Sequence, residues 1–213
     1  MLRGAPRVPA AWALVALPCC LTLACSTVRS VYLQRGYDPT GGDIPKRIAV
    51  VAWAPPSHSQ LANLTAQIAT DLLMLRKNYL VYGTAATTRG WEAHCEDRQG
   101  VVFIRVREAS TAVGGSVYLA ISAALYRCTD GALLWFADAD GDAYSDDAKL
   151  TQLAATYMRA FGPDATRFAA PLFAILQDLV QELPNPVLGD EDILEKIELG
   201  QCERHSAHLA ARR

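Results

Sequence analysis

Two periods of apolar residues organise the chain beyond residue 45. Arg47-Ile48-Ala49-Val50-Val51-Ala52-Trp53 is a short apolar run stopped by Pro55-Pro56. Its apolar side chains fall at both parities, which predicts an interior strand covered on both faces. Leu61, Leu64, Ile68, Leu72 and Leu75 then recur at steps of three and four, with Asn63, Gln67, Asp71 and Arg76 between them. That spacing predicts an amphipathic helix, with Ser59 as its cap. Tyr79-Leu80-Val81-Tyr82 before Gly83 predicts a second strand, so this part opens as a strand, helix, strand unit of the kind that favours a right-handed crossover.

After a less regular stretch from Thr87 to Gly100, Val102, Ile104 and Val106 alternate with Phe103, Arg105 and Arg107. This predicts a third strand with one face buried and the other partly wet. Ser116 to Cys128 and Ala132 to Asp140 predict two more strands, joined by Thr129-Asp130-Gly131; an Asp-Gly pair between such runs is a strong hairpin signal. Leu150, Leu153, Tyr157, Met158 and Phe161 mark a helix that Gly162-Pro163 ends, and a second helix starting near Asp164 or at Pro171 buries Phe168, Leu172, Ile175, Leu176, Leu179 and Leu183. The expected fold is α/β, of the α+β kind: a single mixed β-sheet of about five strands with helices packed on it.

The first 45 residues follow neither period. Arg3 and Arg7 precede a stretch, residues 8 to 28, with no charged side chain. Pro9 and Pro18 interrupt this stretch, whereas a spanning helix needs about 20 uninterrupted apolar residues. The pattern is that of an export signal. Leu21-Thr22-Leu23-Ala24-Cys25 resembles the lipobox of bacterial lipoproteins, although Thr22 stands where that motif usually has leucine. The resemblance implies cleavage before Cys25 and a diacylglyceryl group on it. Cys19 and Cys20 are alternative sites, but Pro18 precedes the first, and Cys19 is a poor small residue before the second. Ser26, in place of the aspartate that by family rules retains lipoproteins in the inner membrane, implies delivery to the outer membrane, facing the periplasm. The expected organisation is a signal peptide at 1–24, a lipidated N-terminus and tether at 25–45, a periplasmic α/β domain at 46–200 and a polar tail at 201–213.

Removing 24 of the 213 residues leaves 189, enough for one domain with a substantial core. Loss of Arg3 and Arg7 moves the formal charge from −2 to −4, and neither value points to a nucleic-acid partner. With 51% hydrophobic and 20% charged residues, the composition is that of a folded domain and not of a disordered chain.

Several local strings resemble a myxobacterial-type family of uncharacterised lipoproteins: Lys46-Arg47-Ile48-Ala49-Val50-Val51, Asp130-Gly131-Ala132-Leu133-Leu134-Trp135, Leu183-Pro184-Asn185-Pro186-Val187-Leu188 and Glu195-Lys196-Ile197-Glu198-Leu199. In layout, the chain is also similar to the small α/β domains of curli-secretion-channel-like lipoproteins, penicillin-binding-protein activators and the TolB N-terminal domain. This second resemblance implies envelope assembly or protein interaction, and supplies no catalytic residue.

The search for chemistry returns little. Asp138, Asp140, Asp142 and Asp146 invite a calcium-loop reading, yet Ala143 stands where the glycine is required and Lys149 where the bidentate glutamate belongs. Cys202, His205 and His208 have metal-like spacing without a fourth ligand. His58 and His94 adjoin no nucleophile motif, and no glycine-rich phosphate loop is present. No cofactor is implied. Export would place Cys95, Cys128 and Cys202 in an oxidising compartment. If Arg107 faces Val117 in a hairpin, facing indices sum to about 224, which brings Cys95 and Cys128 together; Cys128 with Cys202, or no disulfide, are the alternatives. The expectation is a membrane-anchored, non-catalytic module that contacts another envelope protein, through a sheet edge or through Asp138, Asp140, Asp142 and Asp146. The competing reading is a small-ligand binder or an enzyme with a pocket at the sheet edge.

The lipobox resemblance yields a direct test. Cys25→Ser should abolish labelling by a fatty-acid analogue and move the protein out of the membrane fraction; undiminished labelling would contradict the assignment.

Overall fold

The computed structural model describes residues 27–41, 44–111, 116–143 and 148–210. Cys25 with the rest of the expected signal segment, and Asp146, lie outside these residues.

β1 (Val28–Leu33), β2 (Arg47–Trp53), β3 (Leu80–Ala86), β4 (Gly100–Thr111), β5 (Val117–Arg127) and β6 (Leu133–Ala143) form one mixed sheet in the order β1-β6-β5-β4-β2-β3. β2 runs parallel to both β3 and β4, and the remaining pairs are antiparallel. The apolar run read as an interior strand is β2: Ile48, Val50 and Ala52 point to one face, Ala49 and Val51 to the other, and all five are buried.

α1 (Ser59–Arg76) connects β2 to β3, and Leu61, Leu64, Ile68 and Leu72 are buried along it as their spacing predicts. Two details differ. Ser59 is not the cap but the first residue of α1, because Pro56 already starts a one-turn 3-10 helix at Pro56–His58, and His58 occupies the cap position without a side-chain bond. Leu75 continues the stripe but is 82% exposed, so the stripe outlasts the surface on which α1 packs.

α2 (Ala148–Glu182) is two helices joined at a break at Gly162, whose φ of 77° and ψ of 173° suit glycine. Phe168, Leu172, Ile175, Leu176 and Leu179 are buried in its second part, with Leu183 just beyond it. α1 and α2 pack together on the same face of the sheet, α1 over β2, β3 and β4 and α2 over β5 and β6. Trp135, Ala137 and Ala139 of β6 and Leu119, Ile121, Ala123 and Leu125 of β5 complete this core. Between the helices the Tyr157 hydroxyl donates to Asp71 at 2.6 Å, and burial raises the Asp71 carboxyl above its ordinary range.

α3 (Asp190–Ala210) docks by charge. Lys46 and Arg47 reach Asp192 at 2.8 and 3.1 Å, and Arg47 also binds Glu195. The Lys46 bond and the Gly189 amide hold Asp192 below the usual carboxylate range, while its bonds to Glu195 raise Arg47. Residues 201–210 continue this helix and so do not form a separate tail.

The tether expected at 25–45 is also corrected. Val28 to Leu33 pair with β6, Val31 facing Ala137 and Leu33 facing Trp135. Val28, Val31, Tyr32 and Leu33 suit a pleated surface, and as an outermost strand β1 tolerates Arg29 and Ser30 among them.

The β4–β5 register is displaced as well. Val117 faces Thr111, not Arg107, because β4 runs four residues further and has a bulge between Val106 and Glu108. Cys95 and Cys128 are nevertheless disulfide-bonded, with Cα atoms 5.5 Å apart. Cys95 reaches its partner from the end of a short 3-10 helix, Trp91–His94, rather than from a strand, and the Cys128 amide donates to the Gln99 carbonyl at 2.9 Å. The Cys128–Cys202 alternative is thereby excluded.

With a sequence separation of 33 residues, the bridge should stabilise by about 3–4 kcal/mol through the unfolded chain. Replacing Cys95 and Cys128 together by serine should lower the unfolding midpoint by roughly 10 °C. An unchanged midpoint in a scan under oxidising conditions would contradict this.

Candidate protein-contact face

Strand alternation sends every second side chain away from α1 and α2. On β4 these are Val101, Phe103 and Arg105; facing them on β5 are Tyr126, Ala124 and Ser122, and next in turn on β6 are Phe136 and Asp138 beside Ala124 and Ser122. Towards the other edge, Val51 faces Phe103 and Trp53 faces Arg105. The result is a second face with its own chemistry.

Part of this face is covered. The 3-10 helix Trp91–His94 folds over it, with Trp91 stacked on Tyr126 at a centroid separation of 4.3 Å and 3° between planes. Ala49, Val51, Val101 and Phe103 form a small second core beneath, with Trp53, Trp91 and the two bonded cysteines packed against it. Beside this flap, Asp130 in the β5–β6 turn accepts from Arg127 at 2.9 and 2.7 Å and from the Ala132 amide at 3.1 Å. The Arg127 bonds, reinforced by that amide, lower its pKa to about 2. Gly131, at φ 72°, closes the turn read from Asp130-Gly131 and lies 3.5 Å from the Trp91 ring when given a Cβ.

The rest of the face is open. Arg105 is exposed and its guanidinium lies 5.6 Å from the Trp53 ring and 5.7 Å from that of Phe103, within cation–π range. Phe136 is half-buried, and Tyr118 lies opposite Asp142.

The aspartates expected as a protein contact are set into the sheet. Asp138, Asp140 and Asp142 lie on β6, at alternate positions and hence on this one face, and Asp146 is outside the described residues. Arg107 pairs with Asp138 at 2.8 Å, and Arg29 binds Asp140 at 2.9 and 3.4 Å. β1 and, from across β5, β4 thus supply counter-charges to Asp140 and Asp138, giving a mixed-charge surface instead of an acidic patch. Exposed pairs of this kind contribute only about 0–1 kcal/mol each, so they shape the surface more than they hold the fold. Among the described residues no group of three or more His, Cys, Asp or Glu side chains is gathered for a metal ion.

A shallow groove of about 250 Å³ lies at the β3 edge, lined by Ala49, Val51, Gly83, Ala85, His94 and Arg98 among others. Arg98 is fixed there over the Tyr82 ring at 5.0 Å, and donates to the Tyr82 carbonyl at 3.3 Å. His58, by contrast, lies beside Phe168 on the helix side, with ring centroids 6.1 Å apart.

The aromatic and arginine row was not picked out from the sequence. The alternation of Phe103, Arg105 and Arg107 marked a wet face, but its joining to Trp53 and Phe136 depends on the sheet order and register.

No protein-family model matches the chain, and no curated protein matches it in sequence. Among solved structures it is similar to the PelC dodecamer from Paraburkholderia phytofirmans, at 16% identity over 68% of this chain and 96% of that one, with a TM-score of 0.44. It is also similar to lipoprotein GNA1162 from Neisseria meningitidis, at 18% identity over 54% of this chain and 96% of that one, with a TM-score of 0.40. A third likeness is to the hypothetical protein CT253 from Chlamydia trachomatis, at 11% identity over 64% and 92% of the two chains, with a TM-score of 0.40. At these levels, activity and partners have to be argued from this chain's own residues.

Proposed function

We propose that this chain is a lipid-anchored protein of the bacterial envelope whose α+β domain works by contact with another protein through the helix-free face of the sheet. The observation that supports this reading is that the helix-free face carries exposed Arg105 over half-buried Trp53, with half-buried Phe136 and Tyr118 on the same face, set among the Arg107–Asp138 and Arg29–Asp140 pairs. Trp, Tyr and Arg are the residue types that dominate the energetics of protein interfaces, and mixed charges around them set orientation and discrimination between partners. The proposed anchor is the lipid on Cys25, and the proposed location is the outer membrane, facing the periplasm.

The groove beside β3 favours a second reading, a small-ligand site. Its floor of Ala49, Gly83 and Ala85 leaves room, and His94 and Arg98 supply polar groups. The protein-contact reading ranks first because the aromatic and arginine side chains are spread over β2, β4, β5 and β6, a distribution suited to a broad surface more than to a small molecule.

The test is in-envelope cross-linking of the full chain. Arg105→Glu and Asp142→Lys should each abolish recovery of a reproducible partner, while unfolding free energies stay within about 1 kcal/mol of wild type. Leu75→Lys, on the helix side, should leave recovery intact. Partner recovery indifferent to both face variants, or turnover of a small molecule by the purified protein, would contradict the proposal.

A further inference from the structure

The distance between the proposed lipid and the folded domain is the constraint that reaches furthest. Only Ser26 separates Cys25 from Thr27, the first described residue, and β1 begins at Val28. Two residue steps span at most about 7 Å, comparable with the roughly 5–8 Å depth of one headgroup layer. Thr27 is itself fixed to the domain. Its hydroxyl donates to Asp178 at 2.9 Å and its carbonyl accepts from the Asp140 amide at 3.2 Å. A lipid on Cys25 would therefore hold the start of β1 at the membrane surface, leaving no room for a protein layer between them.

The side chains of β1 fit such a surface. Val31, Tyr32 and Leu33 are 48%, 49% and 46% exposed, three consecutive large apolar residues on an outermost strand. Arg29 and Arg35 bracket them and are also exposed. A basic, apolar, basic order with a tyrosine in the middle matches the headgroup boundary, where aromatic rings settle and arginines meet phosphates. Hydrocarbon depth is unsuited to an outermost strand, whose outward backbone groups need polar partners, so the contact belongs at headgroup level.

We propose that β1 is a membrane-contact strand, with Val31, Tyr32 and Leu33 resting on phospholipid headgroups beside lipidated Cys25, and Arg35 facing the phosphates. This rests on the anchor assigned to Cys25 under the proposed function. It sets the domain edge-down: five inter-strand spacings of about 4.8 Å place β3 roughly 24 Å from β1 across the sheet, and the helix-free face opens sideways, parallel to no lipid surface.

The experiment uses the full lipidated chain in vesicles of phosphatidylethanolamine and phosphatidylglycerol, with photoreactive benzoylphenylalanine replacing Tyr32 or, as a control, Leu75. Fatty-acid analogue incorporation at Cys25 is read on the same samples. Phospholipid adducts at position 32 should exceed those at position 75 several-fold. Equal adducts on protein that carries the lipid would overturn the membrane-contact strand while leaving the anchor standing. Adducts at position 32 between two copies of the chain would overturn it in favour of strand pairing. Absence of the lipid label would sink the anchor and this inference together.

Discussion

Burial of one face of the sheet under α1 and α2 is the constraint on which the remaining features depend. Each large side chain removed from water there contributes about 1.5–3 kcal/mol, and Trp135, Leu64, Ile68, Phe168 and Leu176 are all at most 2% exposed. Among the described residues no comparable layer covers the other face. Its apolar part, around Ala49, Val51, Val101 and Phe103, is sheltered by the short Trp91–His94 segment alone. That segment is a single turn of helix, too short to hold itself in place. The Cys95–Cys128 bond and the stacking of Trp91 on Tyr126 pin it to the sheet.

How much of this was legible depended on the range of the interaction. β2, α1 and β3 stand out because each announces itself within a few residues, by an apolar run, a period of three and four, or a glycine stop. The break at Gly162 and the turn at Asp130-Gly131 are equally local. β1 was hidden because an edge strand may carry Arg29 and Ser30 without cost, which blurs the alternation. The β4–β5 register differs from the expected one by three indices along most of the pair and by four beyond the bulge, because the alternation of Val102, Ile104 and Val106 does not reveal where the strand ends or that Arg107 sits in a bulge. The disulfide pair was correctly named by a route the structure does not follow, since Cys95 arrives from a folded-over segment. Asp138 and Asp140 fall inside the expected strand, whereas Asp142 lies beyond its expected end because Gly141-Asp142 is poor in strand formers. Their arginine partners, Arg29 and Arg107, lie 111 and 31 positions away in the chain, and nothing near them in sequence announces the pairing.

The two edges of the sheet have different surroundings. β1 carries exposed apolar side chains close to the proposed lipid, whereas β3 has beside it α3, docked through Lys46 and Arg47 at the start of β2, and the Arg98 groove along its second face. Between them lies the row from Trp53 to Phe136 and Tyr118. An arrangement in which one edge takes the membrane and one face takes a partner uses both surfaces that the helices leave bare, and needs no motion within the domain.

Hydroxyl-radical footprinting, comparing the protein in isolated envelopes with the same protein purified in detergent, reads directly whether the helix-free face is covered in place. Trp53, Phe136 and Tyr118 should be shielded in envelopes, while Leu75 and Met158 on the helix side react alike in both states. Shielding confined to Leu75 and Met158, or an unchanged pattern on the helix-free face, would contradict the proposed contact.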